Sequence, residues 1–434
     1  MLTGAALFAG LGTGGGSLAL AQESTLDAYR SAARSNPGDP SAALALGRAL
    51  RRAGHVPEAL NELHRGLAVA AWKPDVAAQL HWEVTRAYAD RHDLPRATAS
   101  CKELERKTGP GPLTTPTPAS HACVAVAYLS WQRATEALSE AQAALAADPA
   151  AYDAKVAAGR ACELQLKPGD AEAAFRAALA TRGDGEDAHV ALGRVLAKEG
   201  KRDEGVAELR HALQLDPADP DALFELGTAL APGAESLGLL ERATRERPAF
   251  PEALLALGSQ QLAANNLAAA KDTADAAVKS DPGSVAALVL AGKVALAQGR
   301  ADDALRSGQA ALKIVPNNAA AVLLVADSNA RTGDIDAALE AYQTAWGLDH
   351  ADPAPLVRAS EACHAAARDT SARAFGSKAA QEFPNWAPAW AALGDALVGQ
   401  KEPQAARDAY RKALAVPDGS IDRTAVAQKL ASLR

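Results

Sequence analysis

The stretch DAHVALGRVLAKEGKRDEGVAELRHALQLDP, residues 187–217, decides the fold. It carries a small residue at Gly193, a second at Gly205, a third at Ala212 and a closing proline at Pro217. Between the first two lies Gly200-Lys201-Arg202-Asp203, which reads as a turn between two helices. Small side chains let two antiparallel helices approach closely, and Pro217 closes the unit because proline cannot continue a helix. The markers return along the chain at a period of 34 residues, the first of them at Gly159, Gly193, Gly227, Gly258, Gly292, Ala326, Ser360 and Gly394. Only the step from Gly227 to Gly258 is three residues short, where Ala231-Pro232-Gly233 makes a tighter turn. Ala59, Ala97, Ala137 and Ala171 continue the second marker upstream, and Ala144, Ala178, Ala243 and Ala277 flank the third. A fixed period of this length is the signature of a stacked-repeat solenoid. Such a molecule offers a long surface rather than one core with a pocket in it, because each unit touches only its neighbours.

The helix–turn–helix pattern resembles the tetratricopeptide repeat family, whose unit has this period. The likeness is closest in DAHVALGRVLAKEG (187–200), PDALFELGTAL (220–230) and PAWAALGDALVGQ (388–400). The resemblance implies an all-α, right-handed superhelical α-solenoid. Registering on the markers gives eleven units: 40–73, 78–111, 118–151, 152–185, 186–219, 220–250, 251–284, 285–318, 319–352, 353–386 and 387–420. Residues 22–39 are expected to form an N-terminal capping helix, with Tyr29 and Ala32 in phase with the repeats. Residues 421–434 are expected to form a C-terminal capping helix in which Val426, Leu430 and Leu433 cover the last apolar stripe. A proline-rich insert at 109–118 reads as a local joint, since the repeat resumes after it.

Hydrophobic residues make up 48% of the chain and charged residues 22%, as in a folded soluble protein. A net charge of −7 argues against a general nucleic-acid binder. No uninterrupted apolar run is long enough for a membrane span. Residues 1–21 read as a signal peptide: the segment is apolar, has no charged side chain, and ends in Ala19-Leu20-Ala21 before Gln22. That predicts a periplasmic or secreted protein, the alternative being an apolar leader on a cytoplasmic one. Cys101, Cys123, Cys162 and Cys363 are too few for a disulfide framework. Separate buried thiols are the preferred reading, with a Cys101–Cys123 bridge across the insert as the alternative.

No constellation for chemistry emerges. The G-x-G-x-x-G match at residues 10–15 follows no strand and lies in the leader. No phosphate-binding loop, nucleophile elbow or paired-cysteine metal motif occurs. His81, His121 and His189 share the fourth position of their units, but first helices roughly 8–10 Å apart suit shared ligation poorly. Neither a catalytic, cofactor nor metal site is expected, and the chain is not expected to be an enzyme.

The surface is more informative. In the family this chain resembles, first helices line the concave face and their fifth, ninth and twelfth positions point into it. Here the fifth position is apolar throughout, including Leu44, Trp82, Val156, Val190, Phe224, Val289 and Val357. The ninth reads Arg48, Arg86, Val126, Arg160 and Arg194, then Thr228, Ser259 and Lys293, then Asp327, Glu361 and Asp395. Arg51 and Arg52 add to the basic end. The expected site is therefore a groove with an apolar floor, basic toward the N-terminus, its guanidinium groups suited to carboxylates. Chance variation of an exposed charge is the competing reading. The resemblance implies a protein-interaction scaffold for partner proteins or peptides, in assembly of a bacterial envelope machine. The alternatives are binding of an acidic polysaccharide or cell-wall polymer, and an accessory subunit presenting substrates to a separate enzyme.

Overall fold

The computed structural model describes residues 17–70, 73–108, 117–417 and 419–433. Most of the leader, the glycine-rich match at 10–15 and most of the proline-rich insert lie outside them. The described residues hold 24 helices and no strand, an all-α helical-repeat solenoid. They fall into two compact units that divide between Ala253 and Leu254.

In the first unit a helix at Ser17–Ser35 precedes antiparallel pairs, each packed on the next. The first helices of these pairs are Pro40–Arg52, Pro74–Asp90, Pro118–Ser130, Tyr152–Leu164, Glu186–Lys198 and Pro220–Ala229. Several begin with proline, whose fixed φ and missing N–H suit a first helical position. In the second unit the same format continues through pairs such as Val285–Ala297 with Ala301–Ile314, and Ala387–Gly399 with Pro403–Ala415.

The small-residue markers have a steric cause. A Cβ on Gly159 would lie 2.6 Å from Phe175 Cε1, and one on Gly193 would lie 2.6 Å from Leu209 Cγ. The second helix thus drives a bulky side chain into the space the first leaves empty. At Gly205 the obstacle is backbone, with Gly193 O at 2.7 Å from the would-be Cβ. There the two helices touch main chain to main chain.

The ends differ in how well their packing residues were anticipated. At the C-terminus the helix Arg423–Ser432 buries Val426 against Leu397 and Tyr410, with Leu430 and Leu433 alongside. At the N-terminus Tyr29 is 45% exposed and Ala32 is exposed too. Leu26 and Ala33 meet Leu46 and Leu50 instead. One residue is about 100° of helical rotation, so an error of one position turns the packed face outward.

The cysteine preference is overturned. Cys101 and Cys123 are bonded, joining Leu94–Thr108 to Pro118–Ser130, while Cys162 and Cys363 are buried free thiols. Thr85, which stands at a first-marker position, packs its Oγ1 3.4 Å from Cys101 Sγ and 3.2 Å from Cys123 Sγ. The hydroxyl fills space that glycine leaves open elsewhere. Closing a loop across a sequence separation of 22 constrains the unfolded chain. Reduction, or Cys123→Ser, is expected to lower the stability of the first unit by about 2–4 kcal/mol. Thermal unfolding with and without reductant checks this, and coincident curves would refute it.

Candidate interaction groove

A groove of about 900 Å³ runs along the first unit. Its floor and walls come mainly from the first helices, which place Arg51, Arg86, Val126, Arg160, Glu163, Asp187, Val190 and Arg194 on one side. Leu164 and Leu166 stand at its lip, Leu166 being 88% exposed. Seven cationic side chains and six carboxylates line it.

Nearly all of that charge is paired internally. Arg51 donates from Nε to Glu83 at 3.0 Å and from Nη1 to Asp90 at 3.1 Å. Arg86 binds Asp187 at 3.0 Å. Arg194 grips Glu163 with two bonds of 2.9 and 2.6 Å, and Lys198 adds a third at 3.1 Å. Arg247 forks onto Asp221 at 2.9 and 2.8 Å and donates to the Arg52 carbonyl at 2.8 Å. That carbonyl ends the helix Pro40–Arg52, where a cation is favourable.

Arg52 is the hub. Its guanidinium bonds Glu186 at 2.8 Å and Asp216, and lies 3.4 Å from Asp219. The first repeat is thereby tied to residues more than one hundred positions away, and the helix Ser17–Ser35 packs on Ala234–Glu246. The first unit closes on itself. One oxygen each of Glu186, Asp216 and Asp219 lies within 4.8 Å of the others. This is donor chemistry for a hard cation, but the Arg52 guanidinium already sits on it. Burial pushes the Glu186 carboxyl up to about 8, with Arg52 opposing and Asp219 reinforcing the rise.

Glu83 anchors a second cavity of the first unit, lined also by Arg48, Trp82 and Arg86. It is 1% exposed and receives Arg48 and Arg51 at 3.0 Å, with Arg86 at 3.6 Å. Burial alone would raise its carboxyl; Arg51, Arg86 and Arg48 outweigh that and hold it at about 2. Asp187 is likewise held low against its burial by Arg86, Arg160 and the Tyr152 hydroxyl, which donates at 2.5 Å.

Arg160 stands apart. Among the described residues it makes no ion pair or hydrogen bond, and its Nε is shut off from solvent with no partner. In the second unit the ninth-position acids are mostly engaged. Asp327 accepts from Tyr342 at 2.8 Å and pairs with Arg358, and Asp395 accepts from Tyr410 at 2.7 Å and from Lys429. Glu361 is raised chiefly by burial, and Lys293 is exposed.

The expected apolar floor needs correction. Leu44, Val156, Val289 and Val357 are buried where this position meets the neighbouring repeat, while Val190, buried too, also lines the groove. Phe224 packs on Phe250 with ring centroids 5.0 Å apart, and Trp82 packs beside the Cys101–Cys123 bridge. Phe224 thus serves packing, while Trp82 also lines a cavity with Arg48, Glu83 and Arg86. Arg86 and Arg194 line the groove and Arg48 lines a second cavity, and Glu83, Asp187 and Glu163 neutralise Arg48, Arg86 and Arg194 in turn. Those acids were missed; each lies on a first helix within a turn or two of a groove arginine, the one signal available.

Comparison with known proteins agrees with this architecture. Models described as "Tetratricopeptide repeat" match residues 26–75, 186–229, 233–354 in overlapping segments, and 387–417. A comparison with curated proteins finds no match. Among solved structures the chain is similar to PilF of Pseudomonas aeruginosa, at 20% identity over 47% of this chain and 94% of that one, TM-score 0.43. It is also similar to yeast Tom70, at 14% identity over 96% of each chain, TM-score 0.44. A third is PilW, a type IV pilus biogenesis factor, at 21% identity over 48% of this chain and 98% of that one, TM-score 0.43. With its repeats matched over more than half its length, the chain belongs to the tetratricopeptide repeat family and is a protein-interaction scaffold.

Proposed function

We propose that this chain is an exported scaffold that receives a segment of a partner protein in the groove of its first unit, in assembly of a bacterial envelope machine. The observation that carries the reading is the groove itself, about 900 Å³ with apolar Leu164 and Leu166 at its lip beside a rigid, ion-paired wall. A preorganised surface of this kind binds without first paying to order itself. Export is supported by Ala19-Leu20-Ala21 before Gln22, and by a disulfide, which persists in oxidising compartments. Cleavage before Gln22 leaves the packing residues of the first helix, Leu26 and Ala33, in place. An acidic polysaccharide is less well served, since it needs a row of free cations and Arg48, Arg86 and Arg194 are already neutralised.

Two measurements on the native chain test this. Intact-mass analysis from fractionated cells is expected to give a chain beginning at Gln22, outside the cytoplasm, with two free thiols. Amine-reactive cross-linking in the envelope fraction is expected to join partner proteins through Lys198, which lines the groove, well above Lys271 on the second helix Leu267–Ser280. Full-length chain in the cytoplasm sinks the export reading, and equal cross-linking through the two lysines sinks the groove.

A further inference from the structure

We infer that the groove of the first unit holds a single anion-binding position at Arg160, which takes the carboxylate of a Glu or Asp carried beside a large apolar residue on an extended peptide. The inference rests on the groove being the partner site and says what the groove reads.

Arg160 is the groove cation left over. Six of the seven lining cations have internal carboxylate partners; among the described residues Arg160 has none. Its charged neighbours are spoken for. Asp187 is bonded by Arg86 and Tyr152, and Asp221 by both arms of Arg247. The repeat's own structure withholds a partner as well. In two later repeats the ninth residue is bonded by a tyrosine hydroxyl fifteen residues on, Tyr342 to Asp327 and Tyr410 to Asp395. At Arg160 the same place holds Phe175, fully buried and without a hydroxyl. One repeat earlier the groove position is Val126. Burial, then Arg86, disfavours the charged Arg160 by more than Asp187 and Asp221 offset, a cost that an incoming anion relieves.

The ligand follows from the surroundings. A guanidinium fork with a free edge matches a carboxylate with two parallel hydrogen bonds. Leu129, Leu164 and Leu166 line the same groove, and an exposed apolar lip beside a charge suits an apolar side chain next to the acid. Glu163, Asp187 and Asp221 each occupy a neighbouring arginine, so those cations are closed to a further anion. Among the described residues of the groove a polyanion finds one free cation, not a row.

The test uses the full chain and an array of heptapeptides with varied flanks, each with a central Leu-Glu and a matched Leu-Gln counterpart. Wild type is expected to retain the Glu peptides about tenfold more strongly, the worth of a charged hydrogen-bond pair. Arg160→Gln is expected to abolish that preference while leaving the helical spectrum and the residual apolar binding intact. Equal binding of Glu and Gln peptides overturns the anion site. If that equal binding is lost in Leu166→Asp, the groove reading survives it. Binding of no peptide at all overturns both. Retention of polygalacturonate through Arg160, at a strength equal to the peptides, overturns the assignment to a single peptide carboxylate.

Discussion

Glu83→Ala is expected to destabilise the first unit by about 3–5 kcal/mol, the range for stranding buried charge by removing its partner. Glu83 is 1% exposed and holds Arg48, Arg51 and Arg86 at one carboxylate. Without it three guanidinium groups converge with nothing between them, and Arg51, at 15% exposure, cannot turn fully to water. Glu83→Gln keeps the shape and loses the charge, so its deficit measures the electrostatic share. The pH dependence has a definite sign. The carboxyl sits at about 2 in the fold against an ordinary 4.5, so its contribution is present above about pH 4.5 and drains away as pH falls toward 2. Denaturant melts of wild type and Glu83→Gln between pH 2 and 6 should diverge at the upper end and converge at the lower. Parallel curves would mean that Glu83 carries no such linkage.

The helical format was open to sequence reading because its cause is local. Gly159 is small because Phe175 fills the space over it, and Gly193 because Leu209 does; both contacts lie within one repeat and recur with it. The Asp–Tyr bonds of the second unit share one spacing too, Asp327 with Tyr342 and Asp395 with Tyr410, but a spacing alone does not say that a hydroxyl reaches a carboxylate. The groove's charge was legible only by half. Arg48, Arg86 and Arg194 stand out by position, yet the partners of Arg48 and Arg194 sit on neighbouring repeats, 35 and 31 residues away, and that of Arg86 three repeats on, 101 residues away. Periodicity says which residues share a face, not which rotamers meet across it. The Arg52 hub was beyond reach for a stronger reason. Its partners Glu186 and Asp216 lie 134 and 164 residues away, and how far the first unit coils before meeting itself is a sum of small inter-repeat rotations. Cys101 and Cys123 fell between these cases: a bridge was one of two readings, because bond formation also depends on how the two helices pack.

Arg52→Ala is expected to open the first unit. Asp216 and Asp219 then face one another and Glu186 without the guanidinium that reconciles them, and the Arg247 contact to the Arg52 carbonyl is no longer buttressed. Arg52 is 19% exposed, so the cost is about 2–4 kcal/mol, somewhat below that of a fully buried pair. The loss should be local: amide exchange should quicken in Ser17–Ser35 and Ala234–Glu246, whose mutual packing depends on closure, more than in the second unit. Arg52→Lys keeps one charge but cannot fork, and should fall between. Two further readouts separate this from general damage. Glu186, raised to about 8 by burial and then by Asp219 against an ordinary 4.5, makes closure strongest below about pH 4.5 and progressively weaker as pH rises through 8. Glu186→Gln should remove that fall in stability. In Arg52→Ala the cluster of Glu186, Asp216 and Asp219 is free to accept a hard cation, so calcium at about 1 mM should recover part of the lost protection, with no effect on wild type. Exchange that quickens uniformly along the chain, or that calcium leaves untouched, would show that Arg52 is one surface charge among many rather than the closure of the unit.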